Sequence, residues 1–299
     1  MPGLLILLLL SQDQPTFRSD VGLVHVDAEV REGGRPIEGL GRESFRVTDE
    51  GKAQAILYFG HEEEPLDVVW LFDARSEMRP DVTRVAEAAH TALSDLRSGD
   101  QIATMAFGLS GGSCRTDLVL DFTGDFRAAA RSLQQQLEST GLGFCPTMRG
   151  LDGAAQHFLS QPNANHRRTI IIVTDDKLFQ SSSGAVHNAI HDLWTADAVV
   201  LGVIVHSAEH ALVIAPYRGV GYATDRTGGD ILKTNDAADG LREMMHRLRT
   251  RYSLYSAVPQ GRRGEERKIR VQLAPDAAKR YPRAVVRART GYIVPESGR

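Results

Sequence analysis

Two aspartates stand where the chain could carry out chemistry. Asp73 follows the apolar run Leu66–Phe72, and Asp175 follows a second run, Thr169–Val173, by way of one threonine. Nearly continuous apolar runs of this length are typical of strands that are buried on both faces of a parallel sheet. Such strands end at one edge of the sheet, where ligands bind at the point of strand-order reversal. The sequence therefore predicts neighbouring carboxylates, which tend to recruit a cation or share a proton.

A hydroxyl group could join this pair. Thr147 opens the predicted helix Met148–Leu159, in a loop flanked by glycines, and could reach the same edge. Hydroxyl and carboxylate oxygens both suit Mg²⁺. A structural role is the alternative, because Asp and Thr are common caps of helix N-termini. The sequence leaves both interpretations of Asp73 and Thr147 open.

The elements that would position these residues alternate between strand and helix. Apolar runs predict strands, and apolar residues at helical spacing predict helices. The predicted strands are 66–72, 101–107, 117–122, 169–173 and 198–205, and the predicted helices are 82–96, 128–137, 148–159, 186–194 and 241–248. This order predicts an α/β fold with a doubly wound, mostly parallel, Rossmann-like sheet and helices on both faces.

The segments on either side of this region have the alternating pattern and turn signals that predict β-strands. Val24–Val30 alternates between apolar and polar residues, and a turn at Asp49–Gly51 predicts a hairpin between residues 45–47 and 55–59. Three more strands are predicted at 252–258, 268–273 and 284–289. Because the ends of one domain often lie close together, we expect 17–64 and 252–296 to form one β-sandwich-like module, with 65–251 inserted.

The N-terminus indicates export. Leu4–Leu10 is apolar, and about seven residues are too few to span a bilayer but suit the core of a signal peptide. No Lys or Arg precedes the run and no clear cleavage site follows it. We expect residues 1–16 to be removed, leaving a periplasmic or extracellular protein with no membrane span. In an exported chain Cys114 and Cys145 could form one disulfide, whereas in the cytosol both would be thiols.

The net charge bears on whether the chain binds nucleic acid. A net charge of −3 gives no reason to expect nucleic acid as a partner.

His187 and His191 have the i, i+4 spacing of metal ligands on a predicted helix. Without a third ligand, an exposed pair is the better interpretation, and the same holds for His206 and His210.

Three segments, Asp73–Glu77, Cys145–Thr147 and Val173–Asp176, resemble the metal-ion-dependent adhesion site of von Willebrand factor A (VWA) and integrin I domains. That site has a strand ending in D-x-S-x-S, a later loop threonine, and a strand ending in T-D-G. The resemblance implies a VWA-type α/β fold that acts in adhesion or protein binding.

Further segments resemble the secreted bacterial family of acidobacterial-type VWFA-related domain proteins. The likeness covers nearly the whole chain from Phe17. The segments that carry it are Phe17–Val21, Phe45–Lys52, Thr227–Gly229, Leu248–Arg249 with Tyr252, and Arg289–Tyr292.

The departures from the adhesion site bear most on its chemistry. Asp73, Thr147 and Asp175 match, but Arg75 and Glu77 replace the two serines and Asp176 replaces the glycine. A guanidinium only donates hydrogen bonds and cannot bind a cation. We therefore predict a degenerate site with no required cofactor; Mg²⁺, if bound, would use Asp73, Glu77, Thr147 and Asp175. Arg75 either serves as a tethered cation for the carboxylates or points to solvent.

Three functions are compatible with these residues. The leading hypothesis is a non-catalytic, exported module that holds an unidentified protein partner at the edge formed by Asp73, Arg75, Glu77, Thr147, Asp175 and Asp176. One alternative is a metal-dependent hydrolase or phosphotransferase that uses Asp73 and Asp175, although no general base is paired with a nucleophile in the sequence. A second alternative is a structural envelope component whose site has decayed.

Overall fold

The computed structural model describes residues 22–61, 64–92, 96–125, 127–129, 131–132, 143–161, 166–176, 181–205, 219–260 and 262–295. The predicted signal peptide, Phe17–Val21, His206 and His210 lie outside these ranges. The strands are β1 Leu23–Glu32, β2 Arg35–Pro36, β3 Phe45–Asp49, β4 Lys52–Gln54, β5 Ile56–His61, β6 Leu66–Asp73, β7 Gln101–Ser110, β8 Ser113–Thr123, β9 Arg167–Thr174, β10 Ala198–Val205, β11 Ile231–Thr234, β12 Tyr252–Ala257, β13 Glu266–Leu273, β14 Val285–Ala288 and β15 Gly291–Ile293.

The helices include every predicted helix that the described residues cover. They are α1 Arg79–Ala92, α2 Thr147–Ser160, α3 Ser183–Thr195, α4 Gly219–Thr227, α5 Ala237–Arg249 and α6 Pro275–Arg280, with 3-10 turns at Arg42–Ser44 and Ser76–Met78. Backbone at 127–129 and 131–132 is also helical, within the predicted helix 128–137.

The central sheet is mixed. Its strand order is β11-β10-β9-β6-β7-β8, and all pairings are parallel except β7 with β8. Gly111 and Gly112 have φ of 57° and 81°, so both adopt the left-handed backbone of a tight hairpin turn. This turn sends β8 back antiparallel to β7, as the second strand of a hairpin. The α/β class is as predicted, whereas the sheet is not parallel throughout.

Helices cover both faces of this sheet because its strands are apolar on both sides. Along β6, Val68, Trp70 and Phe72 pack with α1 and α5, while Val69 and Leu71 pack with α2, α3 and α4. In the sheet, β6 lies between β7, the next strand along the chain, and β9, to which the chain returns after β8. The strand order therefore reverses beside β6, where a crevice is expected at the carboxyl ends of the strands.

The two flanks of the chain fold together. One sheet has the order β14-β1-β12-β5, with β2 paired to β1, and the second has the order β15-β13-β3-β4. An apolar core lies between them, so N-terminal and C-terminal strands share one module. The predicted hairpin is partly wrong: β3 pairs with β4, while β5 crosses to the other sheet and pairs with β12.

A buried charge cluster joins this module to the central sheet. Asp27 of β1 accepts hydrogen bonds from Arg167 Nε at 2.9 Å and from Arg251 Nε. The two guanidiniums also donate to backbone carbonyl oxygens, Arg167 to Leu248 at 3.0 Å and Arg251 to Gly228 at 2.7 Å. Burial opposes ionisation of Asp27, but the charges of Arg167 and Arg251 lower its pKa to about 2. We call Asp27, Arg167 and Arg251 the junction.

Two helices were not predicted, for identifiable reasons. Gly219 and Gly221 in the first turn of α4 disfavour a helix. The short α6 carries Pro275 in its first turn, a start signal that its length made easy to miss. Across the described ranges, no helix is both long enough and apolar enough to cross a bilayer.

Candidate functional site

The two predicted carboxylates end adjacent strands. Asp73 is the last residue of β6, and Asp175 directly follows β9, which pairs with β6 in parallel. Ala74 N then donates to Phe107 O at 2.9 Å, which holds the chain against β7 for one residue beyond the strand. The sheet register thus fixes both aspartates at the crevice beside β6.

Arg75 lies between the aspartates. Its Nε donates to Asp73 Oδ1 at 2.9 Å and its Nη2 to Asp73 Oδ2 at 2.8 Å, a two-pronged pairing of planar groups. The same Nη2 also contacts Asp175 Oδ1. The Arg75 side chain is 6% exposed, which excludes the alternative that it points to solvent. Burial lowers the pKa of Arg75, but hydrogen bonds and charges from Asp73 and Asp175 outweigh it and raise the pKa overall.

Thr174 and Asp176 complete the polar network. Thr174 Oγ1 donates to Asp73 Oδ2 at 2.8 Å and accepts from Asp176 N at 3.1 Å. Asp176 Oδ1 accepts from Thr147 Oγ1 and from Val220 N, both at 3.3 Å. Asp176 has φ of 47°, in the left-handed region that favours glycine but that aspartate tolerates better than most residues. The backbone that suits a glycine is therefore kept although the residue is different.

Asp176 differs electrostatically from the paired aspartates. Partial burial raises its pKa to about 6, and the nearby charges of Asp175 and Asp73 act in the same direction. Hydrogen bonds from Val220 and Thr147 oppose this shift without cancelling it. We call Asp73, Arg75, Thr147, Asp175 and Asp176 the edge site.

A covalent link holds the loop that supplies Thr147. Cys114 of β8 and Cys145 form a disulfide with Cα atoms 5.4 Å apart. Between them in space, Leu109 and Gly143 exchange backbone hydrogen bonds of 2.8 and 2.9 Å. Phe144, next to the disulfide, lies under the guanidinium of Arg75, with the ring centroid 5.1 Å from Cζ. The disulfide and this cation–π contact thus fix the loop against Arg75.

Two sequence-based expectations fail here. Glu77 is exposed on the 3-10 turn and accepts a hydrogen bond from Ser76 Oγ at 3.3 Å, so Arg75 rather than Glu77 faces the aspartates. The capping roles are also wrong. Arg75 and Pro146 occupy the N-cap positions of the 3-10 turn and of α2, and neither element has a side-chain cap.

The arrangement does not fit Mg²⁺. Both carboxylate oxygens of Asp73 already accept hydrogen bonds, from Arg75 and Thr174. The cation that balances them is a guanidinium, which cannot share a site with a second cation without repulsion. Among the residues that the structure describes, no group of three or more His, Cys, Asp or Glu side chains is arranged to hold a metal ion.

Sequence reasoning missed three contributors. Thr174 belongs to the T-D-G pattern, so that pattern could have shown its role. Phe144 and the Val220 amide had no such signal, because their positions depend on a loop conformation and on α4.

Comparison with known proteins gives structural neighbours only. No family model matches the chain, and no curated protein matches its sequence. A von Willebrand factor type A structure from Catenulispora acidiphila is 16% identical, covering 94% of this chain and 76% of its own, with a TM-score of 0.47. The manganese-loaded TRAP protein of Plasmodium vivax is 13% identical, covering 73% and 96%, with a TM-score of 0.43.

A third neighbour is an aerotolerance-related membrane protein from Bacteroides fragilis. It is 13% identical, covers 61% of this chain and 98% of its own, and has a TM-score of 0.44. At these identities and TM-scores the similarities are partial, and nothing about function is drawn from them.

Proposed function

We propose that this chain is a non-catalytic, VWA-type protein-binding module that holds its partner at the edge site and uses Arg75 in place of a metal ion. The observation that carries the proposal is the contact of one buried guanidinium with both Asp73 and Asp175. Two carboxylates this close would repel each other without a cation between them. A guanidinium supplies that charge permanently, because it does not deprotonate in proteins.

The rim of the edge site is the part available to a partner. Asp73, Arg75 and Thr147 are all buried, whereas Asp176 is only half-buried and accepts the hydrogen bond of the Thr147 hydroxyl. Together the three carboxylates outnumber the single guanidinium of Arg75. We propose that the partner contacts Asp176, which the Thr147 hydroxyl positions, while the Arg75 pairing keeps the strands that support both residues in register.

The hydrolase or phosphotransferase alternative needs a reactive carboxylate. A nucleophilic Asp73 would need an oxygen free to attack, but both of its oxygens accept hydrogen bonds from Arg75. Donors that stabilise the carboxylate charge in this way also weaken it as a nucleophile or base. These contacts favour the binding role over the catalytic one.

We also propose that the protein is exported, as the apolar N-terminal run indicates. A disulfide between Cys114 and Cys145 agrees with an oxidising compartment, where such bonds persist.

Cross-linked capture from a cell-envelope extract tests the binding role. Wild type is compared with Asp176→Asn, which changes the rim, with Thr147→Val, which removes the hydroxyl that positions Asp176, and with Arg242→Gln, an exposed α5 residue, as the matched control. We expect a protein that wild type and Arg242→Gln retain, with and without a chelator, and that the Asp176 and Thr147 variants lose. Equal capture by all four proteins would contradict the proposal and favour the structural alternative.

A further inference from the structure

A cavity of about 160 Å³ lies away from the edge site, between α3, α4 and the start of β13. Its walls combine apolar side chains of α3 with Arg226, Tyr222 and Glu266. An apolar cavity of roughly 150 Å³ is enough to admit a benzene ring. The space therefore suits one aromatic ring with a small substituent.

Arg226 gives this cavity its charge. Its guanidinium lies 4.9 Å from the ring centroid of Trp194 and 5.8 Å from that of Tyr222. Its Nε is buried, so the terminal Nη groups are the part of the guanidinium that can meet a ligand. Within the described ranges no carboxylate pairs with this guanidinium. A cation that lines a cavity without a counter-charge favours an anionic ligand.

The wall beside Arg226 is held rigidly. Trp194 Nε1 donates to Arg226 O at 3.0 Å, which fixes the indole ring against α4. On the other side the ring packs against Gly291 of β15, where an added Cβ would come within 2.5 Å of it. Because contacts with α4 and with β15 hold Trp194 on two sides, the cavity is preformed rather than opened by a ligand.

We propose that this cavity binds a monoanionic aromatic carboxylate, with its ring among Val186, Ile190 and Trp194 and its carboxylate on Arg226. A planar carboxylate matches the planar guanidinium fork. The charges favour one negative charge over two, since a single guanidinium attracts the ligand and the carboxylate of Glu266 lines the same space. The two histidines of α3, His187 and His191, line the cavity with their ring centroids 6.5 Å apart and add polar contacts.

The ligand's carboxylate could come from a free aromatic acid or from the C-terminus of a peptide. Phenylacetate represents the first source and N-acetyl-phenylalanine the second, and the tighter of the two identifies the source. Neither rests on the proposed function at the edge site, so either proposal can fail without the other.

The two tryptophans provide the readout. Trp194 lines the cavity, whereas Trp70 is buried in the core on the other face of the sheet, so its indole N–H signal is an internal control. In an NMR titration with phenylacetate we expect the Trp194 signal to shift and saturate with a Kd on the order of 1 mM. Phenylacetamide, the neutral isostere, should bind at least about tenfold more weakly.

Three variants test whether the Arg226 guanidinium binds the carboxylate of the ligand. Arg226→Gln should weaken phenylacetate binding at least about tenfold, since it removes a charge-assisted bond but keeps the Arg226 carbonyl that orients Trp194. Arg242→Gln should leave binding unchanged, and Glu266→Gln should tighten it. Equal binding of phenylacetate and phenylacetamide, or unchanged binding in Arg226→Gln, would overturn the proposal. It would also be overturned if the protein did not bind phenylacetate but was stabilised by Zn²⁺, and if His187→Gln abolished that stabilisation.

Discussion

Two buried clusters of arginine and aspartate lie at opposite ends of strand β9. The junction lies where β9 begins, at Arg167, and the edge site lies where it ends, before Asp175. At the junction two guanidiniums contact the carboxylate of Asp27, and at the edge site one guanidinium is shared by Asp73 and Asp175. The buried Glu29 carboxylate also lies 3.7 Å from Arg251, so the two ends differ in the number of guanidiniums that contact the central aspartate rather than in total charge.

The pKa values of Asp27 and Asp176 show what these contacts do, because Asp27 contacts two guanidiniums whereas Asp176, among the described residues, contacts none. Burial opposes ionisation at both ends, but at the junction Arg167 and Arg251 overcome it and the pKa of Asp27 falls to about 2. At the edge site Asp176 is held by a hydroxyl and an amide, burial prevails, and its pKa rises to about 6. The junction is therefore built for stability, and the edge site keeps a carboxylate whose charge is not fully compensated.

The largest effect should come from breaking the junction. Asp27→Asn removes the carboxylate that Arg167 and Arg251 share, and removing one partner of a buried ion pair typically costs about 3–5 kcal/mol. Urea unfolding measures this loss of free energy of unfolding. Asp239→Asn, which breaks an exposed pair with Arg242, is the control and should cost less than about 1 kcal/mol. A similar small loss for Asp27→Asn would remove the distinction between the two ends.

The second effect concerns the disulfide beside the edge site. Cys114 and Cys145 are 31 residues apart, and replacing both by alanine should cost about 3.7 kcal/mol through the freed loop entropy of the unfolded chain. The same variant should weaken capture of the partner, because Thr147 lies in the tethered loop. Thermal unfolding and the capture assay check both parts. Unchanged capture together with reduced stability would show that the edge site does not depend on the tether.

The third effect is the response of the junction to acid. The pKa of Asp27 lies below its ordinary value of 3.8, so the unfolded chain binds more protons than the folded one between about pH 4 and 2. The stabilisation is complete above pH 4 and is lost as the pH falls towards 2, by about 2 kcal/mol in total. Stability measured across this window should fall less steeply for Asp27→Asn than for wild type. Parallel curves would contradict the assigned pKa.

The parts of the fold that the sequence predicts depend on local pattern. Largely apolar runs indicated β6, β9 and β10 because strands buried on both faces leave few polar positions. The same rule placed Asp73 and Asp175 together, since chain topology alone brings the ends of parallel strands to one edge. The direction of β8 was not predicted, because it depends on the backbone of two glycines.

The remaining features depend on contacts that no local pattern encodes. Asp27 and Arg251 are separated by 224 positions, so the junction could not be read from spacing. Two conformations of Arg75 remained open because its rotamer is decided by where Asp73, Asp175 and Phe144 lie in space. The role of Glu77 was misjudged for the same reason, since the 3-10 turn carries it outward.

The central claim is that the Arg75 guanidinium replaces a metal ion as the cation between Asp73 and Asp175. The response of the melting temperature to Mg²⁺ tests this claim most directly. Arg75→Ser combined with Glu77→Ser restores both serines of the metal-binding pattern, and Glu77→Ser alone is the matched control. We predict that Mg²⁺ leaves wild type and the control unchanged but stabilises the double variant, by about 1.4 kcal/mol at a free concentration about ten times its Kd. Stabilisation of the wild-type protein by low millimolar Mg²⁺ would contradict the claim.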